Sequence, residues 1–521
     1  MDSSLPDNTG LTLSHLPIEL LLMITFDLPN KDIKSLRLTS RFLGNILRLC
    51  LERVFLSANP LNIRVFRAIA DHDTLRQGVN EIIWDDALLV ETPSEEYLKL
   101  WEIRPPLTLR MFEKDPEGDW PVWFATLCQR NLRELCYRKD IDTDRPHHIA
   151  RALQVVAAQG WPGAFWTYYQ TLLKQQNTVL ESDADMHPFI YGLKRFPALK
   201  IVTVTPAAHG CLFTPLYDTP MIRAFPYGFN YPIPRGWPTA NNEAPLGNLP
   251  RWNSLTDPHP VTEFIVNVNQ LDTGLSCRIF EEPDQEYRDL VSILKRPGFS
   301  RLDLALVIDE QADLGWPSFR NGKIRRALAK ATDLEHISLR TNVREILGED
   351  DVDEDIEHLI PLQTIFPVEC WPKLKHFELS GFLVEKEDMV SFLAALPDTT
   401  LSVKLSFQEF LGGDDYWPEL LTGIHELGWR DRDVGSRPKL VIAVDRGSSS
   451  PTGWGVWAED EVHKFLYEDG PMPFRNQWVF HLGVGVERDT FEPEYERPYV
   501  ENSVLERLGI ITKYTDPDAS I

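Results

Sequence analysis

The chain has 521 residues, 43% hydrophobic and 25% charged, with a formal net charge of −25. That balance excludes wholesale disorder and fibrous repeats, and the length points to about three domains or one elongated array rather than a single core. The acidic excess repels nucleic-acid phosphates and anionic membranes, and no apolar run reaches the roughly 18 residues that span a bilayer, so neither nucleic acid nor membrane is expected as a partner.

Residues 1–13 open with MDSSLPDNTG, which lacks the basic and apolar regions of a secretory signal and reads as a flexible tail. Six scattered Cys (50, 128, 136, 211, 277, 370) and no Asn-x-Ser/Thr sequon fit a reducing, intracellular setting in cytoplasm or nucleus, with each Cys a small buried hydrophobe. Between 14 and 57 local signals define three short helices. Pro17 suits a first helical position, and Leu20, Ile24 and Leu28 follow at helical spacing before Pro29. Asn30 is placed to cap a second helix, with Asp32 at its positive end and Ile33, Leu36 and Leu38 as apolar positions. A third runs from about Arg41 through Phe42, Ile46, Leu47 and Cys50, and Val54 to Leu56 read as extended. So small a module holds more apolar side chains than it can bury alone, so some must face a partner or the rest of the chain. The segment carries six basic and four acidic groups, which leaves −27 on the remainder.

The series Leu16-Pro17-x-Glu19-Leu20, Ile24, Leu28-Pro29, Asp32-Ile33, Leu36-Arg37-Leu38 and Ser40-Arg41 resembles the F-box family. It departs from that pattern at Gly44-Asn45, where many F-boxes carry a large aromatic. The resemblance implies a docking module for the Skp-type adaptor of Skp–cullin–F-box ubiquitin ligases. Leu16, Pro17, Leu20, Ile24, Leu28, Ile33 and Leu36 would then supply adaptor-facing or module-core contacts. A locally basic surface would help steer an acidic partner, and the family's adaptor is acidic.

Across 58–204 and 261–445, helix followed by strand recurs. Asn59-Pro60 opens a helix with Ile63, Phe66 and Ala70, and Val79 to Trp84 are strand-like. Helices are expected at 286–295, 321–331, 386–396 and 417–427, and three strands alternate: Leu302/Leu304/Leu306/Ile308, Leu401/Val403/Leu405/Phe407 and Leu440/Ile442/Val444. A doubly wound sheet and a leucine-rich-repeat-like solenoid both fit such alternation. Leu334-x-x-Ile337-x-Leu339-x-x-Asn342 favours the solenoid, with half-matches at Leu374/Phe377/Leu379 and Leu199/Val202/Val204 and an echo at Leu132/Leu135. The anchors Leu302, Leu334, Leu374, Leu401 and Leu440 lie 32, 40, 27 and 39 residues apart, longer and less even than standard repeats. The expected fold is therefore α/β: an N-terminal three-helix F-box-like module followed by an irregular leucine-rich-repeat-like α/β solenoid, in the style of many fungal F-box proteins.

Residues 205–260, with 11 Pro, interrupt the array, and Phe225, Tyr227, Phe229, Tyr231, Trp237 and Trp252 suggest an ordered flap rather than a loose loop. Residues 446–521 read as a cap with one strand, Trp478 to Leu482, and an acidic tail. Six of the 15 Trp (120, 161, 237, 316, 371, 417) directly precede Pro and read as punctuation between structural units. The acidic run 349–357 fails as an EF-hand, because Ile356 and Leu362 occupy the required Gly and Glu positions, and reads as a solvated loop. No phosphate-loop, dinucleotide, zinc-protease or hydrolase motif occurs, so no catalytic residue, cofactor or metal is expected. The functional expectation is a ubiquitin-ligase substrate receptor. Its module would dock the Skp-type adaptor and through it a cullin, and its array would hold a protein substrate, preferentially a basic one given the −27. The alternatives are an adaptor-bound scaffold uncoupled from degradation and an enzyme with its site beneath 205–260.

Overall fold

The computed structural model describes Leu13 and residues 16–93, 111–141, 150–158, 162–237, 259–343, 360–444, 453–474 and 485–498, apart from short gaps inside those spans. The helices α1 (Ile18–Thr25) and α2 (Asn30–Thr39) form where local signals place them, and α3 (Arg41–Ile46) starts where expected but stops at Ile46, with Leu47 extended, short of the expected Cys50. Pro17 precedes α1 as its cap residue rather than entering its first turn. Ser40 caps α3 by accepting the Leu43 N–H at 3.1 Å. Asn30 does not cap; it is the first residue of α2, and its amide donates to the Cys50 carbonyl at 2.5 Å and accepts the Cys50 N–H at 3.2 Å. It thus ties α2 to the chain leaving α3. At Gly44 an added Cβ would lie 3.2 Å from the Arg37 carbonyl, so α3 rests close against α2 there and a side chain would need the two to part slightly. Leu21, Ile33, Leu43 and Leu47 form a small core with Leu16, Leu28 and Leu36 packed against it.

The rest of the described chain is organised by one large sheet. β1 (Arg53–Ser57), β2 (Glu81–Asp85), β3 (Ile201–Thr205), β4 (Glu263–Val266), β6 (Arg301–Val307), β7 (His336–Thr341), β8 (His376–Ser380), β10 (Ser402–Ser406) and β12 (Lys439–Val444) lie side by side in chain order, all parallel. The short β5 (Leu275–Ser276) pairs with β6, and β9 (Leu383–Val384) pairs with β11 (Glu409–Phe410) apart from the main sheet. A doubly wound sheet grows in both directions from a switch point; here each new parallel strand is added to the same edge. β13 (Trp454–Ala458), β14 (Val486–Asp489) and β15 (Glu492–Pro498) then continue antiparallel and end the sheet in a strand rich in Pro and charge, which blunts its open edge.

Register explains why one face is buried. Val54, Ile82, Val202, Phe264, Leu302, Ile337, Phe377, Val403 and Leu440 pair in a single row across nine strands, and each is buried. Helices α4 (Pro60–Asp71), α7 (Met186–Arg195), α8 (Gln285–Leu294), α9 (Lys323–Leu328), α10 (Lys386–Ala394), α11 (Tyr416–His425) and α12 (Asp460–Tyr467) all contribute to the core that contains this row, so they cover the same face. Asn59 caps α4 by accepting the Leu61 N–H at 2.9 Å, as Asn59-Pro60 led one to expect. The expected helix 321–331 is instead Pro317–Arg320 followed by α9, with Gly322 at φ +71° between them. Leu132 and Leu135 are no repeat strand; both lie in α5 (Val122–Ile141), which packs with α6 (Pro162–Glu181) and with 212–233 into a second, aromatic core. Phe225, Phe229 and Tyr231 belong to that core, so the described part of 205–260 is ordered.

Before several strands the chain makes the same turn. The N–H of Leu199, Phe299, Leu334 and Leu374 donates to the carbonyl three residues earlier, that of Phe196, Arg296, Ala331 and Trp371. Trp371-Pro372 therefore ends one unit and begins the next, whereas Trp316-Pro317 and Trp417-Pro418 sit at helix starts, and Pro121 and Pro162 sit at the starts of α5 and α6. The turn between β14 and β15 reaches a distant partner. Phe491 packs with Ala207, Cys211 and Leu271, and Asn269 donates to the Thr490 carbonyl at 3.0 Å. The acidic run 349–357 and the expected strand 478–482 lie outside the described residues.

Candidate functional site

Two surfaces stand out, one apolar and one charged. On the first, the seven residues singled out from sequence divide. Ile33 is buried and Leu16, Leu28 and Leu36 are half-buried in the module core, whereas Pro17, Leu20 and Ile24 face outward. α1 reads IELLLMIT, apolar on nearly every side, yet only Leu21 and Thr25 are buried. A helix hydrophobic all round is normally enclosed. Ile18, Leu22, Met23 (71% exposed), Phe26 (85%), Leu38 (88%) and Phe42 extend the apolar surface. Leu20 and Ile24 were singled out by the F-box resemblance; Leu22, Met23 and Phe26 were not, because they fall off the 20/24/28 spacing and the motif positions.

The second surface is the sheet face opposite the helices. Over β1–β4 it is covered: Tyr217 packs on Phe55 with ring centres 6.3 Å apart, and its hydroxyl accepts from the Asn267 amide at 2.7 Å. Over β6–β10 register aligns Asp303, Ser338, Glu378 and Lys404 in one row, and Arg301, His336, His376 and Ser402 in the row beside it. Arg301 pairs with Asp303 at 2.6 Å, and His336 Nε2 lies 3.1 Å from the same carboxylate. Lys404 pairs with Glu378 at 2.6 Å, and His376 Nε2 lies 3.7 Å from it. The two imidazoles stack with centres 4.2 Å apart and planes 18° from parallel, and His376 Nδ1 shares a 2.9 Å hydrogen bond with the Ser402 hydroxyl. Burial alone would raise the Glu378 carboxyl, but the neighbouring His376 imidazole and the charge and hydrogen bond of Lys404 outweigh it and hold the group at about 2. Burial likewise opposes ionisation of Asp303, and the adjacent His336 imidazole together with the Arg301 hydrogen bonds holds it below the usual carboxylate range. Among the described residues no cluster of three or more His, Cys, Asp or Glu is arranged to hold a metal ion.

A third group lies at the end of β2, beneath the ordered part of 205–260. Burial pushes the Asp85 carboxyl up to about 8, against the Ala87 N–H it accepts at 3.1 Å and helped by the charge of Asp86. Trp237 Nε1 donates to Asp86 at 2.7 Å. His209 Nδ1 lies 2.6 Å from the Tyr231 hydroxyl, and burial pushes the imidazole down to about 3. All five side chains are buried, so a substrate could meet them only if the covering segment moved. Cys211 Sγ, two residues on from His209, points to the Glu134 carboxylate at 3.5 Å.

No helix among the described residues is long and apolar enough to cross a membrane. No family model matches the chain, and no curated protein matches it.

Proposed function

We propose that this chain is the substrate-receptor subunit of a Skp–cullin–F-box type ubiquitin ligase. Its N-terminal helices dock the Skp-type adaptor, and its sheet, read as a degenerate leucine-rich-repeat-like solenoid, holds a protein substrate on the open face. The observation that carries the docking half is α1, whose apolar side chains Ile18, Leu20, Leu22, Met23 and Ile24 are all exposed. Exposed apolar surface of that density marks a protein-binding site. Support for the solenoid half comes from parallel strands added in chain order and from Asn342, whose side chain accepts the Ile308 N–H of the neighbouring unit at 2.9 Å. The receptor performs no bond chemistry in this reading; it supplies orientation, bringing a substrate lysine near a charged ubiquitin carrier. The test is capture by purified Skp-type adaptor of the wild type and of Leu20→Ala/Met23→Ala/Ile24→Ala. Recovery is expected to fall at least tenfold with an unchanged melting temperature, and equal recovery would remove the docking claim.

A further inference from the structure

Strands near opposite ends of the large sheet meet at one rim, whatever the molecule docks. We infer that the loop after β4 and the turn between β14 and β15 form a clasp that holds the sheet in its curl and opens as a unit of its own, while the sheet and its helices stay folded.

Seven strand spacings separate β4 from β14, ~34 Å along the sheet. Asn267, whose N–H still donates to the Val204 carbonyl at 2.9 Å, stands two residues before Asn269, and Thr490 directly follows the last residue of β14. Three peptide steps, one side chain and one hydrogen bond cover roughly half the distance along the sheet. The sheet must therefore curl back on itself for the Asn269 amide to reach the Thr490 carbonyl at 3.0 Å. Phe491 fills the joint with Ala207 and Cys211, from the loop after β3, and with Leu271. Arg340 of β7 donates to the Asn269 carbonyl and fixes the loop side. Among the described residues β13 meets β12 through three residue pairs, against five between β10 and β12, which leaves the turn as the side that lifts.

The four apolar side chains of the joint form a cluster separate from the core under the helices, so parting them exposes none of that core. Asn269 holds a left-handed backbone, φ +56°, which a residue with a Cβ adopts at a cost. The hydroxyl oxygens of Thr273, in the same loop, and of Thr490 are buried without a hydrogen-bond partner. Each gains water when the clasp opens, which offsets part of the lost apolar contact. Gly453 lies beneath the turn, where an added Cβ would come within 2.5 Å of the Thr490 hydroxyl and 2.8 Å of the Phe491 ring, so the closed turn has one seat.

Two buried thiols read the opening: Cys211 in the clasp, and Cys277 enclosed in the helix-covered core with its Sγ 3.7 Å from the Ile308 carbonyl. The full chain is labelled with N-ethylmaleimide under native conditions, and peptide mass spectrometry gives each cysteine's rate relative to the same residue in the urea-unfolded chain. Cys211 should label at least about tenfold faster than Cys277. Phe491→Ala should raise the Cys211 rate about tenfold further and change that of Cys277 less than about threefold. Equal rates in the wild type, or equal acceleration of both thiols by Phe491→Ala, would mean that clasp and sheet part together and would overturn the inference. A fast Cys211 that Phe491→Ala leaves unchanged would trace its exposure to the cover formed by 212–233 and overturn the clasp as well. Should Phe491→Ala melt early, Leu271→Ala gives the same reading from the loop side, with a faster Cys211 expected and an unchanged one overturning the clasp.

Discussion

In the sheet region, each strand delivers its apolar side chains to a row that a helix covers, and the charged side chains left on the other face pair among themselves. The three-helix module does the reverse with a similar supply of leucine and isoleucine. Of the 16 large apolar residues exposed among the described ones, nine precede residue 43. The difference teaches that the same supply of apolar residues is enclosed where register lines it up under helices, as at Phe264, Phe377 and Leu405, and left on the surface where three short helices must suffice. Among the described residues the module's outer surface is apolar and uncovered.

Substitutions can sharpen or break that contrast. Phe377→Ala, in the middle of the buried row, should cost about 3–5 kcal/mol in denaturant unfolding, and a loss near zero would mean the row is not a shared core. Ile33→Ala should cost about 2–4 kcal/mol, read as faster amide hydrogen exchange between 18 and 47 with exchange in β6–β10 unchanged; acceleration in both regions would show that the two cores unfold as one. Asp85 gives a pH signature. Its folded pKa is raised from 3.8 to about 8, so the folded state keeps a proton that the unfolded chain has lost, and stability falls as pH rises towards 8. His209 is lowered from 6.5 to about 3, so it destabilises only as pH falls below 6.5, and above that value Asp85 acts alone of the two. Asp85→Asn should remove a decline of roughly 1.4 kcal/mol per pH unit between pH 6.5 and 8; unfolding midpoints across that range decide it, and an unaltered slope would refute the assignment. The smallest effect belongs to the module surface: Leu20→Gln/Ile24→Gln should change stability by no more than about 0.5 kcal/mol. A larger loss would mean these side chains are covered by the chain itself, and the contrast would fail.

What sequence revealed follows from the range of the signals. Asn59 and the helical spacing of 18–46 act within a few residues, and those helices begin where expected, although α3 stops short of Cys50. The alternation in 302–306 and 440–442 is equally local, so the buried face was legible. The charged ladder was not, because Asp303, Glu378 and Lys404 become neighbours only through the register of four strands. Leu132 and Leu135 misled because leucines three apart suit a helix as well as a repeat. The C-terminal strands were hidden by composition: GluProGluTyrGluArgPro in β15 has the polarity of an edge and no apolar alternation. Phe407 continued the alternation of its strand on paper, but its backbone turns to φ +55° and the strand stops at Ser406.

The packing of Phe491 on Ala207, Cys211 and Leu271 bears on how such a chain is made. Asn269 and Thr490 are 221 residues apart, so during synthesis the loops after β3 and β4 leave the ribosome long before the turn that seals them. Strands added one at a time to a single edge can form as they emerge, but this closure waits for nearly the whole polypeptide and belongs to the slow, late part of folding. A chain stopped before β14 would keep its rows of paired strands and leave Ala207 and Cys211 uncovered, a state that a quality-control chaperone could distinguish from the finished protein.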